Sequence, residues 1–341
     1  MNPTDTKHYT WIDYARFLTI FLIIYFHCPP KLYGFAGISM SLLRLPCFFF
    51  ISGFLFRPDK YSTIKKFAIH RGKQLLVPYF CFSLIFYLFW LFIGRKIGAE
   101  TDLNVPLYQP LIDFILGTPK LVAVPLWFLP SLFIIQCTFY FLIKNLSKRI
   151  VIAILFLLPF VPVLIDLSNT PYSLESICHF LPFYGIASLY RKEIMGFVAK
   201  KNHYVIGIIC LLIHVVIVFF LMNNMNPFVE RTLKIVGSFT IIFTVIIIIK
   251  IMADITGKQK FIEYISSNGV IVLAFHTYAI LIFCSIMIHI LHFQENYFEG
   301  NYYLKLVLAI ISMLSMPIPI YIINKFLPFL IGKGSLFEEK C

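Results

Sequence analysis

Ten apolar runs, each close to the length of a membrane-crossing helix, follow one another along the chain. An α-helix rises about 1.5 Å per residue, so about 20 apolar residues cross a hydrocarbon core of roughly 30 Å. The runs are 12–28, 38–56, 75–94, 125–143, 151–165, 174–189, 204–222, 232–249, 269–291 and 303–324. The fifth and sixth are short, and the fifth contains Pro159 and Pro162, so a tilted or re-entrant arrangement of this pair stays open. The pattern predicts an all-α bundle of about ten transmembrane helices.

The composition excludes the soluble alternatives. Of the 341 residues, 60% are hydrophobic and 18% aromatic, whereas 13% are charged, about half the usual share in a globular chain. A soluble chain of this length has too little interior to hide so much apolar surface. The same figures exclude disordered, collagen-like and coiled-coil proteins. We expect residues 1–341 to form a single integral-membrane domain, with no soluble domain appended at either end.

The formal net charge of +13 falls mainly on the segments between the runs. With ten spans, the segments on one side of the membrane include both termini and hold 20 Lys or Arg and 7 acidic residues. The segments on the opposite side hold 5 Lys or Arg and 7 acidic residues. An excess of basic residues marks the cytoplasmic side of a membrane protein. Both termini are therefore predicted to be cytoplasmic, and the basic segments are expected to meet anionic membrane lipids. No nucleic-acid partner is expected.

The first apolar run carries three polar side chains that lipid would exclude. Asp13 and Arg16 are three residues apart and so share a face of the helix. His27 follows Arg16 by eleven residues, about 16 Å along the axis, and the two side chains point in much the same direction. Ionisable residues inside membrane helices are functional candidates by default. A lone histidine is usually structural, but Arg16 on the same face favours a catalytic role for His27, with Asp13 in support.

The second run and the loop after it supply further candidates. Ser52 lies in the stretch Phe-Phe-Phe-Ile-Ser-Gly-Phe at 48–54, a small-residue break that is typical of close helix packing. Segment 57–74 is the most basic loop and contains Arg71 and Lys73 near its end. Such a loop suits anionic lipid or a phosphorylated cytoplasmic ligand, and spacing alone does not choose between them.

Four residues further along are candidates for substrate contact or structural support. Trp127 opens the fourth run from the outer side and suits an interfacial anchor. Glu175 and His179 are i,i+4 neighbours that can form a hydrogen-bonded pair. His276 lies within the ninth run and is expected to face the bundle interior. The eight cysteines are scattered without the spacing of metal ligands, so no metal site is predicted.

Together these motifs resemble acyltransferase family 3, the integral-membrane O-acyltransferases that include sugar acetylases of bacterial surface polysaccharides. The resemblance covers most of the chain, and its motifs are specific as an ordered set although each is weak alone. They are the Arg-x10-His spacing from 16 to 27, the stretch 48–54, Arg-Gly-Lys-Gln-Leu-Leu-Val-Pro-Tyr at 71–79, Leu-Trp-Phe-Leu-Pro at 126–130 and Ser-Asn-Gly-Val-Ile-Val-Leu-Ala-Phe-His at 267–276. Family members of this kind have about ten spans, in agreement with the hydrophobic pattern.

The resemblance implies transfer of an acyl group, usually acetyl from cytoplasmic acetyl-CoA, to a sugar hydroxyl at the bacterial plasma (inner) membrane. By position, His27 matches the family's essential histidine and Arg16 its paired arginine. Arg71 matches the first arginine of the family's Arg-x-x-Arg signature. The second position is Gln74, which weakens a CoA-phosphate role for the loop, and the neighbouring Lys73 offers a charge instead.

The resemblance also implies the partners. Acetyl-CoA, or another acyl-CoA, is expected as a co-substrate, and no permanently bound cofactor is expected. The acceptor is expected to be a polysaccharide or a lipid-linked sugar, with glycan-assembly proteins as candidate partners. Neutral His27 would act as a general base toward the sugar hydroxyl, and a transient acyl-histidine stays open. Arg16 would hold a phosphate or the CoA arm, while Arg71 and Lys73 would meet the nucleotide end.

Two readings from other functional classes also fit parts of the pattern. A transporter or glycan exporter needs a similar number of spans and a few buried charges, but the polar residues are concentrated near the N-terminus and no repeat is visible. An intramembrane serine protease would pair Ser52 with His276. The glycine expected two residues before such a serine is Phe50 here, and no oxyanion donor is evident.

Overall fold

The computed structural model describes residues 9–97, 104–199, 203–298 and 300–334. Helices and short helical turns account for the regular structure of these ranges, and no strand occurs within them. The all-α prediction is therefore confirmed for this part of the chain. The helices are α1 (Thr10–His27), α2 (Gly34–Phe54), α3 (Ile64–Phe89), α4 (Gln109–Ile115), α5 (Phe128–Asn145), α6 (Lys148–Leu157), α7 (Leu174–Leu189), α8 (Arg191–Val198), α9 (His203–Leu221), α10 (Pro227–Thr256), α11 (Lys260–Ser267), α12 (Gly269–Ser285), α13 (Tyr302–Ser315) and α14 (Pro317–Phe326).

Helix ends follow local chemistry. Thr63 precedes α3, and its hydroxyl oxygen accepts a hydrogen bond from the Lys66 backbone N–H at 3.3 Å. Asn226 precedes α10 and accepts from the Phe228 N–H at 2.9 Å. Such side-chain oxygens satisfy backbone donors that a helix leaves unpaired in its first turn. Gly257 ends α10 at a φ of 64°, a left-handed conformation that favours glycine.

Seven helical stretches among the described residues are long and apolar enough to cross a membrane. They are Gly34–Phe54, Ile64–Gly94, Val124–Asn145, Tyr204–Leu221, Pro227–Thr256, Gly269–Ile290 and Tyr302–Phe326. These seven support a multi-pass membrane protein. The count of about ten spans and the cytoplasmic placement of both termini stay predictions.

The remaining three predicted runs are helical but depart from a plain apolar span. Helix α1 has 18 residues but includes Asp13, Arg16 and His27. The run 151–165 is divided, because α6 ends before Pro159 and the chain continues through two short turns that contain Pro159 and Pro162. Proline lacks the N–H that would continue the helical ladder. Helix α7 has only 16 residues.

The chain divides into two compact units. Unit 1 comprises Met1–Leu55, Ala187–Gly269 and Ile280–Leu314, and unit 2 comprises Phe56–Ile186, Val270–Ala279 and Ser315–Cys341. In unit 1, α1 packs against α2, α10 and α11, and α9 lies along α10. In unit 2, α3 packs against α5 and against the turn Pro328–Ile331. The prediction of a single integral-membrane domain is not tested by this division.

A buried histidine joins three helices of unit 1. His214 on α9 is 2% exposed, and its Nδ1 donates to the carbonyl oxygen of Gly237 on α10 at 3.0 Å. The Ser39 hydroxyl on α2 lies 3.2 Å from Nε2, which accepts because the neutral ring carries its proton on Nδ1. The helices meet closely at Gly237, since a Cβ there would lie 2.9 Å from Ile217 and 3.1 Å from Leu42.

Unit 2 is held by stacked and edge-on aromatic rings. The Phe67 ring of α3 stacks on the Tyr140 ring of α5 with centroids 4.8 Å apart, and the Tyr140 hydroxyl donates to the Tyr61 carbonyl oxygen at 2.9 Å. Phe56 contacts both Phe67 and Tyr184 at 5.6 Å between centroids. Ring pairs of this geometry add to the free energy gained by burial, so the start of α3 is firmly placed.

We expect Gly237→Val to destabilise the protein, because the added side chain must displace Ile217 and Leu42 in a tightly packed helix crossing. Overpacking of this kind costs about 1–3 kcal/mol. The measurement is the unfolding temperature of the detergent-solubilised protein. Gly196→Val is the matched control, because no described residue has an atom within 4 Å of a Cβ at Gly196. Equal unfolding temperatures for the two variants would contradict the described packing.

Candidate functional site

Helix α1 carries the predicted residues Asp13, Arg16 and His27, all in unit 1. Asp13 is 8% exposed, and the Ser266 hydroxyl of α11 donates to its Oδ1 at 3.5 Å. The Asp13 carboxylate also acts electrostatically on Arg16. Eleven residues, about 16 Å of helix, separate Arg16 from His27, which is the last residue of α1.

The imidazole of His27 is fixed by its own helix. Its Nδ1 lies 2.8 Å from the carbonyl oxygen of Ile23. Because a carbonyl oxygen can only accept, Nδ1 is the donor, and the lone pair of the neutral ring therefore belongs to Nε2. The ring also meets the Phe26 ring edge-on at 5.3 Å between centroids. The geometry thus assigns the basic nitrogen of His27.

The chain directly after His27 is held by a lysine that sequence reasoning missed. Lys305 on α13 is 0% exposed, and its ammonium donates to the carbonyl oxygens of Cys28 and Pro30, the latter at 2.8 Å. Its Nζ also lies 4.9 Å from the centroid of the Tyr25 ring. A cation at the end of α1 is favourable because a helix C-terminus carries partial negative charge.

A second cation lies beside the same helix end. The guanidinium carbon of Arg44 on α2 is 3.4 Å from the centroid of the Phe26 ring, the stacked geometry that arginine prefers on aromatic faces. Arg44 and Lys305 both act electrostatically on the His27 imidazole. Developing negative charge near His27 would therefore be stabilised. Each cation is the one charged residue of its apolar run, a signal that could have identified both.

Unit 2 contains a basic cleft, which we define by Lys66, His70, Lys73, Gln74 and Lys333 together with Tyr61, Ile69, Ile331 and Gly332. Its volume is about 570 Å³. Residues at positions 66, 70 and 73 fall on one face of α3. The rings of Tyr61 and His70 lie 5.3 Å apart at its wall. The basic cleft therefore combines several positive charges with aromatic surface.

Close backbone contact shapes the opposite wall of the basic cleft. Gly332 has a φ of 69°, and a Cβ on it would lie 2.0 Å from the carbonyl oxygen of Lys73. No side chain fits this position, so glycine is required there. The Lys333 N–H donates to the Pro328 carbonyl oxygen at 3.0 Å. Because the Gly332 backbone packs directly against α3 at Lys73, the next residue, Lys333, lies in the same cleft as Lys73.

Arg71 has a different environment from its neighbour Lys73. Its Nη1 donates to Oε1 of Gln74 at 2.8 Å, and its guanidinium carbon lies 5.7 Å from the centroid of the Phe67 ring. Arg71 also acts electrostatically on Cys137 and Tyr184. Of the two residues predicted to meet the nucleotide end of CoA, Lys73 lines the basic cleft and Arg71 does not.

The other predicted residues are divided between the units. Ser52, in unit 1, donates its hydroxyl to the Phe48 carbonyl oxygen of its own helix at 2.9 Å. His276, in unit 2, is 0% exposed, and its Nδ1 lies 3.0 Å from the Leu273 carbonyl oxygen. Both contacts are those of residues that pack within helices, and neither supports a serine protease.

Helix α7 and the turn before α5 hold the remaining three candidates. Glu175 lies in the first turn of α7. His179, one turn later, packs against the Phe180 and Phe183 rings with centroids 4.9 and 5.8 Å apart. Trp127 ends a short helical turn before α5 and lines a polar cavity of about 280 Å³. All three residues belong to unit 2.

We predict that Lys305→Met will loosen the chain after α1. The substitution keeps a long side chain but removes the donors to Cys28 and Pro30, and a hydrogen bond from a charged group contributes about 1.5–3 kcal/mol. Amide hydrogen exchange of residues 24–36 should then be faster, by about tenfold or more. Lys234→Met is the control, because Lys234 forms a partly exposed ion pair with Glu230 of low expected energy. Identical exchange in wild type and Lys305→Met would show that the ammonium does not hold this segment.

The comparison with known proteins agrees with the resemblance read from the motifs. Residues 9–326, nearly the whole chain, match the family model of acyltransferase family 3, described as an acyltransferase domain. No curated protein and no solved structure matches the chain at a significant level. The matched range includes α1 with His27 as well as Lys73 and Lys305. The chain therefore belongs to acyltransferase family 3 and is a membrane acyltransferase.

Proposed function

We propose that the protein is an O-acyltransferase that moves an acyl group, normally acetyl, from cytoplasmic acyl-CoA to a sugar hydroxyl. The acceptor is a cell-surface polysaccharide or its lipid-linked precursor. The observation that carries the proposal is the His27 imidazole at the end of α1, with its lone pair assigned to Nε2 and the cations Arg44 and Lys305 nearby. That combination suits a reaction that begins by proton removal and passes through an oxyanion.

In the proposed reaction, His27 Nε2 removes the proton of the sugar hydroxyl while the sugar oxygen attacks the thioester carbonyl carbon. The carbonyl oxygen becomes an oxyanion, which the positive charges of Arg44 and Lys305 stabilise. Collapse of this intermediate breaks the carbon–sulfur bond, and the CoA thiolate takes the proton from the imidazolium. General-base catalysis of this kind contributes about 10²–10⁴-fold. An acyl-histidine path would use the same Nε2 lone pair.

The basic cleft of unit 2 is the proposed binding site for the nucleotide end of acyl-CoA. Lys66, Lys73 and Lys333 supply charge for phosphate groups, and the Tyr61 and His70 rings offer a surface for the adenine. The cleft volume of about 570 Å³ falls within the usual range of roughly 300–1,000 Å³ for small-molecule sites. Arg16, partnered with Asp13 on α1, is assigned to the phosphate or pantetheine arm.

The family resemblance implies a location in the bacterial plasma (inner) membrane, and the charge distribution supports about ten spans with both termini cytoplasmic. The basic cleft is formed by residues of loop 57–74, the start of α3 and the segment after α14. These segments belong to the set with 20 Lys or Arg. In this topology the basic cleft faces the compartment that contains acyl-CoA. Membrane lipids and glycan-assembly proteins are the other proposed partners.

We expect His27→Ala to abolish O-acetylation of the surface glycan, because the reaction loses its base. The variant is expressed in a deletion strain, and O-acetyl groups are counted by NMR of the purified glycan. His289→Ala is the matched control, since His289 is exposed and lies outside the site. Protein in the membrane is quantified for both variants. If the glycan from the His27→Ala strain contained as many O-acetyl groups as the glycan from wild type, the proposed function would be wrong.

We also expect the combined substitution of Lys73→Gln and Lys333→Gln to raise the KM for acetyl-CoA by about tenfold or more, as charged hydrogen bonds to phosphate are lost. Because the cleft does not act on the thioester, kcat should change much less. Lys65→Gln is the control, because Lys65 is an exposed neighbour that does not line the cleft. A KM equal to that of the control would place the nucleotide elsewhere.

A further inference from the structure

A polar cavity in unit 2 has no role in the chemistry described so far. We call it the outer cavity and define it by Lys120, Trp127, Ser168, Asn169, Ser173 and Ser176. Its volume is about 280 Å³. Three chain segments form it: the residues around 118–120, the turn Val124–Trp127 and the stretch 168–176. Its wall combines one half-buried indole, several hydroxyl groups, an amide and one ammonium.

Strained backbone shapes the wall of the outer cavity. Tyr172 and Ser173 have φ values of 58° and 53°, and Ala123, just before the turn that ends in Trp127, has a φ of 57°. Residues other than glycine adopt this left-handed region at a cost of about 1–2 kcal/mol each. Such strain persists where surrounding contacts impose it, and it clusters at ligand-binding sites. Here it places Ser173 and Trp127 at the cavity wall.

Specific contacts hold the strained loop in place. The Tyr172 N–H donates to the Leu116 carbonyl oxygen at 2.6 Å, and the Ser131 hydroxyl of α5 donates to the Tyr172 carbonyl oxygen at 3.0 Å. Gly117 has a φ of 68°, and a Cβ there would lie 2.4 Å from the Tyr172 ring. The ring therefore packs directly on the Gly117 backbone. These contacts make the outer cavity preformed, which lowers the entropic cost of binding.

The chemistry of the wall selects a class of ligand. Hydroxyl and amide groups donate and accept hydrogen bonds, and the indole of Trp127 adds an apolar face with one donor. None of the described residues that line the cavity carries a carboxylate, and Lys120 adds a positive charge. A neutral or acidic sugar ring, with hydroxyl groups at its edge and C–H groups on its faces, matches this set. The volume, close to the lower end of small-molecule sites at roughly 300 Å³, suits one sugar unit better than a nucleotide.

We propose that the outer cavity is a binding subsite for one sugar unit of the acceptor, with Trp127 as the surface on which the ring lies. This inference rests on the proposed function, because that function supplies a glycan as substrate. The positions 118–120 and 168–173 fall in segments that the charge pattern puts on the outer side, where surface glycan is found. Lys120 gives the subsite a preference for acidic over basic sugars.

The test uses purified full-length protein in lipid nanodiscs. The probe is a set of oligosaccharides released by mild acid from the surface glycan of a strain that lacks this gene. Trp127→Ala should raise the KM for the oligosaccharides by about tenfold and leave the KM for acetyl-CoA unchanged. Trp127→Phe should restore most of the affinity, and Asn169→Ala should weaken it by a few fold. Tyr108→Ala is the matched control, since Tyr108 is 61% exposed and lies outside the cavity.

The outcomes separate the subsite from the function on which it rests. Direct binding of the oligosaccharides to the His27→Ala variant is measured in parallel, so that affinity is read without turnover. In one outcome, wild type transfers the acyl group while Trp127→Ala and Asn169→Ala keep the wild-type KM for the oligosaccharides. That result would overturn the subsite and leave the proposed function intact. Oligosaccharide binding without acyl transfer by wild type would overturn the proposed function. If Trp127→Ala does not fold, Trp127→Phe and Asn169→Ala decide the question.

Discussion

The buried ammonium of Lys305 is the interaction on which the end of α1 depends. A charge inside an apolar helix is costly unless polar groups surround it. Lys305 meets this condition by donating to the carbonyl oxygens of Cys28 and Pro30, at the end of a helix that leaves its last carbonyl groups unpaired. These two hydrogen bonds therefore satisfy both the lysine and the carbonyl groups of the chain after α1. They hold the chain that directly follows His27.

Each compact unit supports one part of the proposed chemistry. Unit 1 contributes a histidine with an assigned basic nitrogen and two cations, to which we assign the acyl transfer itself. Unit 2 contributes the basic cleft and the outer cavity, which are the proposed sites of substrate binding. In both units the placement depends on a few close contacts, such as Gly332 against Lys73 and Tyr172 against Gly117. Binding and chemistry are thus open to separate tests by substitution.

Much of this could be predicted from the sequence, because hydrophobic length and helix periodicity are local properties. The pattern located the long apolar helices, the polar residues of α1 and the family. It did not show that Lys305 meets Cys28, since the two residues are 277 positions apart. Nor did it show that Arg71 and Lys73 have different environments, because these environments depend on α5 and on the segment after α14. The outer cavity depends on left-handed residues such as Ser173, for which no sequence signal was available.

The partners of the two cations near His27 have a functional consequence. Among the described residues, Lys305 donates to carbonyl oxygens and Arg44 stacks on the face of Phe26, and neither forms an ion pair with a carboxylate. A carboxylate partner would cancel the positive charge, whereas neutral dipoles and a ring face hold the cation and leave its field in place. In the proposed reaction that field acts on the oxyanion, where negative charge first develops. A neutral environment for these cations therefore serves catalysis better than a buried salt bridge would.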